Sequence, residues 1–304
     1  MDRLESMTTL LAAVEAGSLS AASRKLGMPL ATVSRKVSEL ETHLRTKLVN
    51  RTSRRLSLTD AGRSYVEACK RILEDIGEAE RAASGEYSAP RGDLVVAAPI
   101  VFGRLHVLPV VLEFLRAYPE IDIRIALADR VINLHEDHVD LAVRIGALPD
   151  SSLIATRVGS IGRVVCGSPG YFSKRGTPKH PSELADHDCI TFEGPWGWTF
   201  NAGKTVTTVP VHSRLIVNTA EAALDAAVAG MGITRVLSYQ AAGAVRAKKL
   251  ALVLRTFEPE SVPVSLIYAG RGMLPLKLRA FLDFATPRLK KRMANATPSA
   301  PSKR

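Results

Sequence analysis

Apolar positions recur at helical spacing through the first third of the chain. Leu4, Met7, Leu10, Leu11 and Val14 predict a helix over residues 3–15 that Gly17 stops. Leu19, Ala22 and Leu26 predict a second, shorter helix. Ser18 can cap it, and Gly27 ends it by taking the left-handed backbone of a helix exit. Pro29 suits a first helical position and opens a third helix to Leu44, with Val33, Val37, Leu40 and Leu44 on its inward stripe. Its other face carries Ala31, Arg35, Ser38 and Thr42, with Ser34 and Glu39 at the margins: small, polar and basic. Residues 46–58 are rich in Arg, Thr and Ser around Leu56 and Leu58, and predict a two-stranded wing. Thr59 or Asp60 caps a fourth helix to about Ser84. On it Ala61, Tyr65, Ala68, Ile72 and Ile76 form a coiled-coil-like seam, which predicts dimerisation; packing on the chain's own second domain is the alternative.

A linker by composition, Gly85 to Gly92, separates this from a different texture. Strands are expected at 94–98, 121–127, 140–145, 163–166, 189–192, 232–236, 250–254 and 262–269. Helices are expected at 103–118, 219–229, 238–246 and 275–285, with a hairpin-like region at 198–217. Strands alternating with helices predict an α/β domain with mostly parallel sheets. No internal repeat is evident.

Charge sharpens the first segment. Between Arg24 and Arg63 ten Lys/Arg stand against three Asp/Glu, a net +7 within a chain of 304 residues and net charge +11. A helix-turn-helix followed by a basic wing is built to sit on DNA, with the wing tip Arg51, Thr52, Arg54 and Arg55 along the phosphates. The C-terminal residues 291–304, basic and rich in Pro, Ser and Ala, read as a disordered tail. No run of apolar residues is long enough for a membrane span, and the start MDRLESM lacks the apolar core of a secretory signal, so the expected location is the cytoplasm, with no membrane partner.

The motifs A-A-S-R-K-L-G at 21–27, T-V-S-R-K-V-S-E-L-E at 32–41 and N-R-T-S-R-R-L-S-L-T-D-A-G at 50–62 resemble the LysR-type transcriptional regulators. So do R-G-D-L-V-V-A-A-P at 91–99, D-L-A-V-R-I-G at 140–146 and A-A-V-A-G-M-G-I at 226–233. The resemblance covers about residues 3–290. It implies a winged helix-turn-helix domain (1–58), a linker helix and hinge (59–91), and a periplasmic-binding-protein-like α/β effector domain (92–290). That domain would have lobe one at 92–163 and 266–290 and lobe two at 164–265. It further implies double-stranded DNA and a small-molecule effector as partners, RNA polymerase if the regulator is an activator, and a homodimer or homotetramer. Ser34 and Arg35 match DNA-contacting positions, and Arg51, Arg54 and Arg55 match the wing; Ser18, Ser20, Arg24, Ala31, Thr32, Ser38 and Thr52 complete the candidate DNA surface. The chain departs from the family pattern at Pro29, in the cap position, at Arg45, where Gly is common, and at Val49, where Phe is usual. A looser wing base and one more phosphate contact are expected.

Open α/β sheets bind ligands beyond the carboxyl ends of their strands. The effector candidates are therefore Pro99, Ile100, Val101, Phe102, Arg130 and Arg144 in lobe one, and Ser168, Glu193, Asn218 and Thr219 in lobe two. Asn218 with Glu221 fits a capping box, and helix N-termini favour an anion such as a carboxylate. Arg144 can equally brace the sheet. His135, Glu136, Asp137 and His138 form a metal-like cluster but read as a solvated turn, and no cofactor is indicated. Cys69, Cys166 and Cys189 contain no C-x-x-C and read as buried apolar residues. No nucleophile elbow, dinucleotide loop or Ser/His/Asp arrangement supports an enzyme. The other class the pattern allows is a small-molecule receptor of the solute-binding type.

Overall fold

A computed structural model describes residues 2–51, 56–84, 89–134, 136–148, 151–192, 197–202, 205–270 and 274–296. The chain divides into two units, Met1–Ala89 and Pro90–Arg304.

In the first unit, α1 (Arg3–Glu15) is capped by Asp2, whose carboxylate accepts from the N–H of Leu4 and Glu5. α2 (Leu19–Leu26) is capped by Ser18 and ends at Gly27, whose φ of 63° is left-handed. α3 (Leu30–Leu44) starts after Pro29 with no side-chain cap and ends at Arg45, also left-handed at φ 52°. β1 (Val49–Arg51) and β2 (Leu56–Leu58) pair antiparallel, Val49 opposite Leu58. α4 (Asp60–Ser84) follows, with Thr59 as its cap: its hydroxyl accepts from Gly62 N–H and donates to Lys47 O. Leu10, Val37, Leu40, Leu48, Val49 and Val66 form the core.

Glu41 pins the wing to the helices. Its side chain is 3% exposed; Oε1 accepts from the N–H of Leu48 (2.9 Å) and Val49 (3.2 Å), and Oε2 from Lys47 Nζ. Where Phe is usual, Val49 is thus held by its backbone. Gly62 passes the residue before β1 so closely that a Cβ there would lie 1.9 Å from Leu48 O.

The second unit runs β3 (Gly92–Ala98), α5 (Ile100–Phe102), a π turn (Gly103–Val107), α6 (Leu108–Ala117), β4 (Ile121–Leu127), β5 (Leu141–Ile145) and β6 (Leu153–Ile161). Next come β7 (Arg163–Gly167), α7 (Pro169–Arg175), a 3-10 turn (Pro181–Asp186), β8 (Cys189–Phe192), β9 (Gly197–Ala202), β10 (Thr205–Pro210) and β11 (Ser213–Val217). The chain ends with α8 (Ala220–Val228), β12 (Ile233–Leu237), α9 (Ser238–Arg246), β13 (Ala251–Val253), β14 (Val262–Ala269) and α10 (Leu276–Ala296). The π turn precedes Pro109. Proline has no N–H for the carbonyl of Leu105 four residues back, and Arg292 Nη2 donates to that oxygen instead (2.9 Å).

Two five-stranded sheets form two lobes, in the orders β4-β3-β5-β14-β6 and β11-β8-β12-β7-β13. In each, the strand in fourth place runs against the other four. That strand is the one delivered by a crossing from the other lobe: β7 follows β6, and β14 follows β13. The sheets are therefore mixed, and the lobes repeat one topology that the sequence does not advertise. β14 lies wholly in the first sheet, so lobe one resumes at Val262 and not at 266. Residues 291–296, expected in the tail, are helical, and Met293 is buried where α10 passes Gly159.

Candidate functional site

The exposed face of α3 carries Ala31 and Arg35, with Thr32, Ser34 and Ser38 half-buried. Arg35, Ser38, Glu39, Thr42 and His43 line a shallow recess along it. Arg35 Nη1 pairs with Glu39 Oε1 one turn on (2.6 Å), with 62% of the arginine side chain exposed. Ser20 and Arg24 are exposed on α2, whereas the Ser18 hydroxyl is spent on the N–H of Ala21. Leu30, at the N-terminus of α3, is 47% exposed. No sequence pattern marks this apolar residue beside Pro29 as exposed. At the wing, Arg51 pairs with Leu56 in the last rung; Thr52, Arg54 and Arg55 lie outside the described residues.

On α4 the seam residues divide. Tyr65 packs against the first unit's own core, and burial beside Cys69 pushes its hydroxyl up to about 12. Ile72 is 41% exposed and Ala61 is exposed, while Ala68 and Ile76 are half-buried.

In lobe one, β3, β4 and β5 are parallel, so their carboxyl ends share one edge. A recess of about 230 Å³ opens there, lined by Pro99, Ala128, Asp129, Arg130, Val131 and Arg144 among others. Ile100 donates its N–H to Asp129 Oδ1 (3.0 Å) at its rim. Arg144 is half-buried and has no hydrogen bond or ion pair among the described residues. Arg130 is engaged: its guanidinium grips Asp137, which also accepts from Asn133 N–H. The Arg130 hydrogen bond holds the Asp137 carboxyl below its ordinary value. That pairing takes Asp137 out of the metal-like cluster; His135 lies outside the described residues.

Several expected cleft residues are placed elsewhere. Val101 and Phe102 are 4% and 0% exposed and belong to the lobe-one core, because the helix begins at Ile100 and turns them inward. Ser168 follows β7, which runs antiparallel. Gly167 pairs with Ile233, at the start of β12, so Ser168 stands at the opposite edge from Phe192 and Asn218. There it is buried and caps α7 by accepting from Tyr171 N–H. Thr219, not Asn218, caps α8, and Glu221 reaches across the lobes to Arg104 (3.9 Å) instead of closing a capping box. Asn218 is exposed, and Glu193 lies outside the described residues. Neither Ser168, Asn218 nor Thr219 lines the lobe-one recess.

Tyr239, from α9 of lobe two, inserts into the lobe-one core edge-on to Phe102 (centroids 5.5 Å) and His106 (5.5 Å). Cys69, Cys166 and Cys189 are buried and unpaired, and burial pushes the thiols of Cys166 and Cys189 up to about 12. No helix among the described residues is long and apolar enough to cross a membrane.

Two family models match: the "Bacterial regulatory helix-turn-helix protein, lysR family" over residues 4–63 and the "LysR substrate binding domain" over residues 88–290. An HTH-type transcriptional regulator of Xanthomonas campestris is 37% identical over 283 residues, covering 91% of this chain and 82% of that protein. An HTH-type transcriptional repressor of Pseudomonas aeruginosa is 36% identical, covering 93% and 91%. CrgA, a LysR-type transcriptional regulator from Neisseria meningitidis, superposes with a TM-score of 0.61 at 31% identity over 94% of this chain and 98% of that one. An exposed basic helix in the first unit, a ligand-sized recess at the strand ends of a two-lobed α/β unit, and these relatives lead to one conclusion: the chain belongs to the LysR family, transcriptional regulators that bind DNA through a helix-turn-helix and take a small-molecule effector in a two-lobed domain.

Proposed function

We propose that this regulator binds operator DNA in the cytoplasm as a homodimer or homotetramer. α3 enters the major groove, the β1–β2 wing lies on the phosphate backbone, and an anionic effector, a carboxylate, seated at the lobe-one recess changes operator affinity. RNA polymerase is a further partner if the outcome is activation. The observation that carries the effector reading is Arg144: a cation whose side chain has no partner among the described residues, at the edge where three parallel strands end. A buried or half-buried guanidinium gains most from a carboxylate, which it meets with two parallel hydrogen bonds. The DNA reading is supported by Arg35, held among the described residues by an exposed ion pair on its own helix, a contact worth about 0–1 kcal/mol that a phosphate can displace. Exposed Ile72 on α4 favours a partner copy over a lone helix. An effector shifts the equilibrium only by binding one arrangement more tightly than another.

The test is footprinting of the intergenic DNA beside the protein's own gene, with and without aromatic and aliphatic acids. A protected region whose extent or affinity changes with an acid, and ceases to change in Arg144→Met, is the expected result. Protection that no acid alters at saturation would remove the effector reading, and absence of any protection would remove the operator reading.

A further inference from the structure

We propose that the second unit holds another ligand site, for an apolar carboxylic acid, in the recess between the π turn, α9 and α10. The recess encloses about 450 Å³, larger than the one beside Arg144, and no residue lines both. A space of that size suits a small molecule. Its walls are largely apolar, including Leu105, Val164, Val245 and Leu252. The polar lining is His106, Tyr239, Arg246 and Arg292, together with Ser238; no Asp or Glu among the described residues lines it. The charge is one-sided, and it favours an anion.

The second observation is what those side chains lack. Nδ1 and Nε2 of His106 and Nε of Arg292 are shut off from solvent and bond to no described group. Folded proteins rarely leave such atoms unmatched. Arg292 is nevertheless fixed, because its Nη2 holds the Leu105 carbonyl that Pro109 leaves without its helical donor. Burial, then the Arg292 charge, pushes the His106 imidazole down to about 4. At neutral pH it is uncharged and offers one N–H and one acceptor nitrogen. A carboxylate that displaces the His106 ring from its closed position accepts from that N–H and from Arg292 Nε–H, and its apolar body rests on the aliphatic wall. A cation would meet two arginines and no acid. A sugar would face more hydroxyls than the lining can satisfy.

The lining is drawn from both lobes: Leu105, His106 and Arg292 from the first, Val164, Tyr239, Val245, Arg246 and Leu252 from the second. An occupant therefore ties the lobes together beside the Tyr239 contact, and it stabilises the joined arrangement by mass action. This reading is independent of the Arg144 recess.

The experiment titrates the full-length protein with 1-naphthoate, by calorimetry and by following histidine ring signals in ¹H–¹³C spectra. The His106 signal is identified by its loss in His106→Phe. Binding that moves the His106 signal is expected. Ala242→Phe, which fills the recess from α9, should abolish it, Arg292→Met should weaken it about tenfold or more, and Arg144→Met should leave it intact. Unchanged affinity in an Ala242→Phe protein of unchanged melting temperature overturns the proposal. So does binding that Arg144→Met removes, which would assign the probe to the other recess, and so does naphthoate at millimolar concentration that leaves His106 unmoved. Should Ala242→Phe fail to fold, the exposed substitution Arg246→Met decides. Weakened binding with the His106 shift retained at saturation supports the site; undiminished binding with no His106 shift refutes it.

Discussion

Glu41 offers the sharpest test of how the wing is held. Its carboxylate is buried and takes two backbone N–H groups, those of Leu48 and Val49, plus the Lys47 ammonium. Truncation in Glu41→Ala leaves both N–H groups buried without an acceptor. At about 1–3 kcal/mol for each unsatisfied group, the loss is ~2–6 kcal/mol, set against the ~5–15 kcal/mol that holds a domain together. Glu41→Gln keeps an oxygen acceptor and loses only the charge assistance, about 1 kcal/mol per bond, hence ~2 kcal/mol. Lys47 is 76% exposed, so Lys47→Ala should cost no more than ~1 kcal/mol. Hydrogen exchange of the Leu48 and Val49 amides reads the effect directly. Protection should fall roughly 30-fold in Glu41→Gln, by roughly 30-fold to ten-thousandfold in Glu41→Ala, and little in Lys47→Ala. The pH dependence has a definite sign. Burial raises the Glu41 pKa, but the bonds from Lys47, Leu48 and Val49 outweigh it and leave it below 4.5. A depressed carboxyl stabilises the fold above its unfolded pKa and ceases to as pH falls through the folded one. The extra protection should thus be constant from neutral pH down to about 4.5 and fade below it, and Glu41→Gln should lack that fade. Equal protection in wild type and Glu41→Ala would refute the assignment.

Three further outcomes follow from the same unit. Gly62→Ala places a methyl against Leu48 O, and urea unfolding should show a loss of ~3 kcal/mol or more. Arg45→Gly relieves a left-handed residue at the end of α3 and should stabilise by ~1 kcal/mol in the same assay, since side chains pay that much for positive φ. Arg35→Ala should weaken operator binding across sequences and lower the salt slope by about 1 in fluorescence anisotropy, as expected for one phosphate contact; an unchanged slope would move Arg35 to base reading or out of the interface.

What the sequence discloses depends on which forces write a pattern into it. The helices of the first unit are legible to within a residue or two because Ser18, Gly27 and Thr59 mark their ends chemically. In the second unit, β14 and α9 fall where the apolar runs place them. β6 escapes notice because it is an edge strand, with several exposed residues and no clean alternation. α7 spans seven residues, too few to show a helical period. α10 runs past its expected end at 285, with Pro287 inside it. Strand direction leaves no trace in residue pattern, so the sequence does not show that Ser168 ends an antiparallel strand, at the opposite edge from Phe192. Tertiary satisfaction is equally silent: nothing in the sequence pairs Glu41 with Leu48, Arg130 with Asp137, or Arg292 with the carbonyl that Pro109 leaves free.

The exchanged fourth strands carry a consequence for how the chain is made. Every strand of the second sheet lies between Arg163 and Val253, whereas the first sheet needs β14, which ends at Ala269. During synthesis the later lobe can close its sheet while the earlier one still waits for a strand between β5 and β6 and for the cover of α10. Vectorial order is thereby inverted. A chain released near Leu254 would hold every strand of the C-terminal lobe and leave the N-terminal lobe as the unfinished half that chaperones meet.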